Sequence, residues 1–483
     1  MMKFLMAGFS AALVAGCAVG PNYVRPEIET PGRWQNPDSV FAADTAAVRS
    51  ETAWWGLFGD TVLTNLIAAA LQENADVRIA AARVEEVMGR YGVARSDFFP
   101  KLGAAGAASR GQLLSDEAGR GLESTRNRFQ VNLAADWEID LWGKLRRATE
   151  AARADLLATE EARRGVVLTT VALVASTYVD LLSMDWQLEI ARQTALTRRE
   201  ALDLFEVRRE KGDLSDLIFS QAEAEYWLAM SQIPLIEENI AFLENMISCL
   251  VGRNPGPVAR GKTLEDLAPP AVPVGLPSEL LERRPDIRFA EEQLRAANAR
   301  IGVARALYFP SLSLSGLLGY ASDDLSDLVN SDTRTWRVGG DVLAPIFRFG
   351  EIKGQVKAAE GRQKQALYAY VEAVHNAFRD TENALVRRRC TNEQLQAEGK
   401  RVAALATYAR LARMRFDEGV TSYLEVLDAE RALFATVLAY TQTTADLHKS
   451  VIALHQALAG SWLDAAAAES FRIEEGIKLR GQP

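Results

Sequence analysis

Three cysteines and three histidines in 483 residues leave little material for a disulfide framework or a zinc cluster. Basic residues are not in excess either. The chain has 55 Lys and Arg against 64 Asp and Glu, a net charge of -9, and a general nucleic-acid binder carries the opposite balance. The counts of Gly (33) and Pro (16) are too low for a collagen-like or largely disordered chain. Past the N-terminus no apolar run approaches the ~20 residues of a membrane helix, so contact with a bilayer needs another route. Neither a Gly-x-Ser-x-Gly elbow nor an HExxH motif is present, which leaves a hydrolase without support.

The chain does begin with an address. Lys3 precedes an apolar run from Phe4 to Ala15 and the small residues Ala15-Gly16, the layout of a signal peptide over residues 1–16. Leu13-Val14-Ala15-Gly16-Cys17 also resembles a bacterial lipobox, which implies cleavage before Cys17 and a lipid on its thiol; the alternative is a plain signal peptide with a chance cysteine. Ala18 stands where an aspartate would resemble an inner-membrane retention signal, and this favours the outer membrane. Lipidation anchors a chain to a membrane surface without making a pore.

The letters also contain a repeat. Asp76 to Leu102 aligns without gaps onto Asp286 to Leu312, including Gly92-Val93-Ala94-Arg95 over Gly302-Val303-Ala304-Arg305 and Phe99-Pro100 over Phe309-Pro310. A second block, at an offset of 207, sets Gly212 over Gly419, Ser215 over Ser422 and Leu217 over Leu424. The expected organisation is a lipidated N-terminal segment (17–62), a first repeat (63–252), a connector (253–277), a second repeat (278–460) and a tail (461–483). Six of the 16 prolines fall between Val251 and Ser278, which marks the connector.

Within each repeat, Phe-Pro closes a first helix and strands follow. Phe129, Val131, Leu133, Ala135, Trp137 and Ile139 alternate with Gln130, Asn132, Ala134, Asp136 and Glu138, giving one apolar and one polar face. Strands are expected at about 99–114, 127–142, 309–322 and 334–347. Their alternation fits a transmembrane barrel as well as it fits an ordinary sheet on a soluble core. Gly143 to Lys211 and Gly350 to Glu418 then contain no proline, enough for helices of roughly 100 Å with coiled-coil-like spacing of apolar residues. Gly212 and Gly419 end these helices, and helical segments of about 40 residues return to Gly252 and Gly460, with a kink expected at Pro234. Four strands cannot close a barrel, so if they span a membrane several chains must share one.

The Cys17-to-Tyr23 start, the GPNYxRP motif (Gly20 to Pro26), Arg284-Pro285-Asp286-Ile287-Arg288, and Gly419 through Ala429 together resemble the TolC-type outer-membrane efflux channels, nearest the lipidated NodT or OprM-like branch. The resemblance spans Cys17 to about Trp462; Ala459-Gly460-Ser461-Trp462 departs from the family's usual Gly-Gly-Gly-Trp. It implies a mainly α fold with a membrane β-barrel: duplicated halves, each with two barrel strands and long coiled-coil helices, in a homotrimer that shares 12 strands. It also implies a passive exit duct that catalyses nothing, fed by a periplasmic adaptor and an inner-membrane RND-type transporter. No cofactor is expected beyond the lipid on Cys17. By the same resemblance Asp428 forms an inward acidic ring, Leu424 an apolar plug one turn below, and Glu425 a second ring. Arg431, three residues from Asp428, is within reach of a latch. An ordinary solvated helix face is the alternative for this set. The tips Gly212, Leu214, Ser215, Gly419, Thr421 and Ser422 are the expected adaptor contact, although helix-turn-helix chemistry alone would use the same residues.

Other signals point elsewhere or nowhere. Gly256 to Thr263 matches the phosphate-loop pattern GxxxxGK[ST], but Pro269-Pro270 follow where a helix should open, so no nucleotide site is expected. His448 and His455 lie two helical turns apart without a third ligand nearby, and Cys249 and Cys390 read as buried thiols. The competing reading from another class is a periplasmic coiled-coil tethering lipoprotein, which has no need of alternating strands.

Overall fold

In the computed structural model the described residues are 18–36, 54–115, 122–269, 272, 277–459, 462–463 and 466. The signal peptide, Cys17 and most of the tail lie outside them. The elements are α1 (Thr61–Glu73), α2 (Ala75–Ser96), β1 (Lys101–Ser115), β2 (Leu122–Ile139), α3 (Lys144–Glu210) and α4 (Asp216–Leu250). After the connector come α5 (Pro285–Ala306), β3 (Ser311–Ser322), β4 (Arg334–Leu343), α6 (Glu351–Asp417) and α7 (Tyr423–Leu458). The duplication is visible in the lengths: α2 and α5 have 22 residues each, and α3 and α6 have 67 each. Pro234 does not end α4. β4 stops at Leu343, short of the expected 347, because Pro345 has no N–H for a ladder.

The chain divides into two compact units, each drawing on both halves. The first comprises residues 1–27, 84–159 and 289–371 and holds one antiparallel sheet in the order β1-β2-β3-β4. The cross-strand register sorts its side chains. Ala104, Leu133, Leu318 and Trp336 form one continuous row, and Lys101, Asp136, Ser315 and Gly339 form another. Side chains alternate along each strand, so the first row's face carries Leu102, Val131, Trp137, Leu314, Val338 and Val342. The opposite face carries Asn132, Glu138, Ser313, Arg337 and Asp341. The apolar face is bare: Leu102 is 83% exposed and Val338 78%. Among the described residues β1 and β4 each leave one edge unpaired.

An N-terminal strap, residues 18–26, docks on this unit and accounts for the GPNYxRP motif. Val19 N–H donates to the Trp142 carbonyl (2.9 Å), and Arg147 donates to Asn22 Oδ1 (2.7 Å). Asn298 donates to the Pro21 carbonyl (3.0 Å), and Tyr23 and Arg25 both engage Glu291. Gly20 (φ +103°) lies so close to Gly302 that a Cβ would come within 2.5 Å of its Cα. A Cβ on Gly302 would in turn meet the Val19 carbonyl oxygen at 2.7 Å, whereas one on its repeat partner Gly92 meets nothing within 4 Å. The two glycines share a motif, but only Gly302 carries the strap.

The second unit comprises residues 28–83, 160–288 and 372–483 and contains the main apolar core. Val167, Val171, Val174, Tyr178 and Leu181 of α3 are 0% exposed against Phe58, Leu63 and Ile67. This corrects the expectation that no later run suits a membrane: by length and composition a window of α3 does, but 61% of it is buried inside the protein's own core. The phosphate-loop letters also find a use here. Asp60 caps α1 through Oδ1, and its Oδ2 accepts the Lys262 N–H (2.9 Å) and the Tyr178 hydroxyl (3.0 Å). Gly261 is required because a Cβ would overlap Asp60. The loop binds an anion, but that anion is the protein's own carboxylate.

Cys249 and Cys390 are exposed, contrary to the expectation of buried thiols; each sits on the outer surface of a long helix. The helix ends follow the glycines except at the last. Ala459 (φ +42°) is the left-handed cap of α7, in the place that Gly252 (φ +70°) holds one repeat earlier. His448 and His455 are core residues, 3% and 9% exposed, and His455 stacks on Trp54 at 4.9 Å. Burial alone pushes both imidazoles down to about 4.

Two outcomes are expected. Gly302→Ala should loosen the strap, giving faster proteolytic cleavage within residues 18–26, while Gly92→Ala leaves that rate unchanged; equal rates in both variants would refute the contact. Because the native state holds both histidines neutral, stability is complete above about pH 6.5 and falls as pH drops toward 4, by on the order of 3 kcal/mol per histidine. Thermal melts across that range should show the slope, and His448→Leu should remove about half of it.

Candidate functional site

The two hairpin tips are built alike from the same local chemistry. Gly212 (φ +77°) and Gly419 (φ +75°) adopt the left-handed conformation that closes a helix. At the first tip the Gly212 and Asp213 N–H groups donate to the Arg209 and Arg208 carbonyls, both at 2.9 Å. At the second tip Gly419 donates to Phe416 (2.9 Å) and Val420 to Arg415 (2.8 Å), so both ends are Schellman caps. Ser215 Oγ then caps α4 by accepting the Ile218 N–H at 3.4 Å. Ser422 holds the same position before α7 but makes no side-chain cap bond, so the serine-cap expectation holds at one tip only.

Beneath the tips an apolar cluster joins the hairpins: Leu202 and Phe205 of α3, Ala222 of α4, Ala412 of α6, and Tyr423, Val426 and Leu427 of α7. Phe205 and Tyr423 meet edge-to-face at 4.9 Å. Burial pushes the Tyr423 phenol up to about 12 and raises the Glu430 carboxyl above its usual range. Rigid packing here defines where the outward-facing residues of α7 stand.

Those residues are Leu424, Asp428 and Arg431, spaced four and three apart on one stripe of α7. Leu424 is 60% exposed, and Asp428 and Arg431 are exposed as well. Glu425 sits one position round the helix and is partly buried. It is braced by Arg415 at 3.1 Å and by the Thr421 hydroxyl. The expected reach of Arg431 toward Asp428 is corrected. Arg431 turns to Glu225 of α4, its Nε donating at 2.5 Å, because that carboxylate is buried and needs a cation more than an exposed one does. Asp428 is left with the Tyr408 hydroxyl at 3.5 Å, a long bond. Tyr408 keeps its proton above the ordinary phenol range, through desolvation first and then the charges of Asp428 and Glu425.

Sequence reasoning missed Arg198, Glu225 and Tyr408. Arg198 is 6% exposed on α3; it donates to the Glu225 carbonyl at 2.7 Å and lies 3.2 Å from its carboxylate. For the two charged residues the signal was available by setting the halves side by side, since Arg198 and Glu225 stand opposite Leu405 and Ala432. Among the described residues, no group of metal-ligating side chains accompanies this stripe. An exposed apolar residue followed by an unpaired acid can obstruct and tune a passage, but it offers no nucleophile or general base with a positioned partner.

The model of the outer membrane efflux protein family matches residues 66–253 and 276–460. The cation efflux system protein CusC of Escherichia coli O6:H1 is 35% identical over 461 residues, 94% of this chain and 97% of its own length. The solvent efflux pump outer membrane protein SrpC of Pseudomonas putida is 34% identical over 469 residues, 95% and 99% of the two chains. The solved outer-membrane channel OprN superposes with a TM-score of 0.84 at 28% identity, covering 92% of this chain and all of that one. These relatives are channels and efflux proteins.

Proposed function

The chain belongs to the outer membrane efflux protein family, and we propose from this that three copies close one shared barrel of twelve strands, four from each. The protein is an outer-membrane efflux channel of a tripartite system, with duplicated halves of long helices and paired strands. The observation that carries the sharing of one barrel among copies is the sheet itself. Its bare apolar face calls for lipid, and its two unpaired edges are not tolerable there unless β4 of one copy pairs with β1 of the next. Leu228, Leu235 and Phe242 on α4, exposed at 44%, 53% and 61% with heptad spacing, supply a seam between copies farther along the chain.

In this reading the duct is passive. Substrate arrives from an inner-membrane RND-type transporter through a periplasmic adaptor that grips the tips at Gly212, Leu214, Ser215, Gly419, Thr421 and Ser422. The names of CusC and SrpC, a cation and a solvent system, differ in cargo although the chains are similar, so selection is assigned to the transporter. Three copies of Leu424 meet as an apolar plug and three of Asp428 as an acidic ring, a constriction that resists ions until the tips part. Glu425 and Arg431 support that constriction, Glu425 by bracing Thr421 and Arg415. A lipid on Cys17, the residue that precedes the strap in sequence, anchors each copy to the outer membrane.

The deciding experiment is the native mass of the mature protein extracted from outer membranes in mild detergent. Three copies per particle are expected, and a monomer without bound detergent would end this reading. In planar bilayers Leu424→Ala should raise the ion conductance of the resting channel severalfold, and an unchanged resting conductance would remove Leu424 from the plug.

A further inference from the structure

We propose that Glu225 leaves Asp428 without a countercharge by holding the Arg431 guanidinium for itself. This rests on reading Leu424 and Asp428 as the constriction. On an isolated helix Asp428 and Arg431, three residues apart, would be expected to pair. Here Arg431 is engaged by Glu225 at both Nε and Nη2, while Asp428 has only a 3.5 Å contact with a phenol. Burial decides the competition. Glu225 is 3% exposed, and a desolvated carboxylate must be compensated, whereas Asp428 keeps its hydration. Arg198 alone does not suffice: it reaches one carboxylate oxygen at 3.2 Å and directs its best bond to the backbone. Arg431 holds its proton more tightly mainly through the hydrogen bond to Glu225, and the charge of Asp428 contributes less.

The duplication argues that this arrangement is not demanded by the fold. At the offset of 207, Arg198 stands over Leu405, Glu225 over Ala432, and Ala224 over Arg431. Two hairpins of one design form, and only one junction carries the charges. Arg431–Glu225 crosses between the hairpins, tying the last residue of the α7 stripe to α4, and Arg198 links that carboxylate on to α3. Glu225 is thus a positioning residue: it touches nothing that passes through the channel, yet it determines whether the ring at Asp428 is three bare carboxylates or three ion pairs. A bare ring attracts cations and repels its own copies, and a paired ring does neither.

The test is the K⁺/Cl⁻ permeability ratio of the trimer, read from the reversal potential in a KCl gradient across planar bilayers. Asp428→Asn should lower the ratio at least about twofold. Glu225→Gln, which frees Arg431 to neutralise Asp428, should lower it similarly, and Glu225→Asp should lower it less while still compensating Arg198. In an Arg431→Ala background Glu225→Gln should add nothing. Should Asp428→Asn leave the ratio unchanged, the constriction itself is misassigned. If Asp428→Asn lowers it but both Glu225 variants form trimers with the wild-type ratio, the constriction stands and this inference is overturned. It is also overturned if the Glu225→Gln shift survives in the Arg431→Ala background, or if neither Glu225 variant forms trimers, since Glu225 would then be a scaffold group.

Discussion

Backbone hydrogen bonds have no substitute in lipid, and the architecture depends on that constraint. A four-stranded sheet with one bare apolar face belongs against hydrocarbon, where the open N–H and C=O groups of β1 and β4 would each cost several kcal/mol. No arrangement of a single copy removes both edges. The polar face, with Asp136, Glu138, Arg337 and Asp341, needs water just as firmly. A closed barrel made from several chains meets both demands, with lipid outside and solvent within.

The helical part follows a different economy. Its long helices have few internal means of choosing a register, because alanine-rich seams tolerate sliding. Register is set instead by a left-handed glycine and a Schellman pair of hydrogen bonds that recur at each hairpin, and by one aromatic cluster of Phe205, Phe416 and Tyr423 that joins the two. Near the core, Asp60, Tyr178 and the Gly261-Lys262 amides pin the connector by the same principle of satisfying a buried anion. Function then lies where the two repeats stop matching. Gly302 bears the strap and Gly92 does not; Glu225 and Arg431 are charged and their counterparts are not.

Much of the architecture was legible in the letters. Period-two alternation in β2, proline-free runs of helical spacing and the paired offsets defined the elements, because each reflects a local requirement: the pleat, the helical turn and the cap. The strap motif could be pointed to by its letters, and Leu424 and Asp428 only through the family resemblance, with Arg431 added by its spacing from Asp428. The bilayer-like run in α3 misled, because apolar composition does not say whether lipid or protein will cover it. The two thiols misled for the same reason, since a helical position alone does not reveal its outward side.

Which charge meets which could not be read. Asp428 and Arg431 are three residues apart, and Glu225 is 206 residues from Arg431, so sequence proximity favours the pair that does not form. Desolvation reverses that preference, and desolvation exists only once α3, α4 and α7 have packed. The sequence by itself determined helix, strand, turn and repeat, which depend on neighbours along the chain. The tertiary structure alone decided that Asp60 and not a nucleotide fills the Gly261-Lys262 loop, that Gly302 and not Gly92 is covered, and that Arg431 belongs to Glu225, because burial is a property of the packed whole.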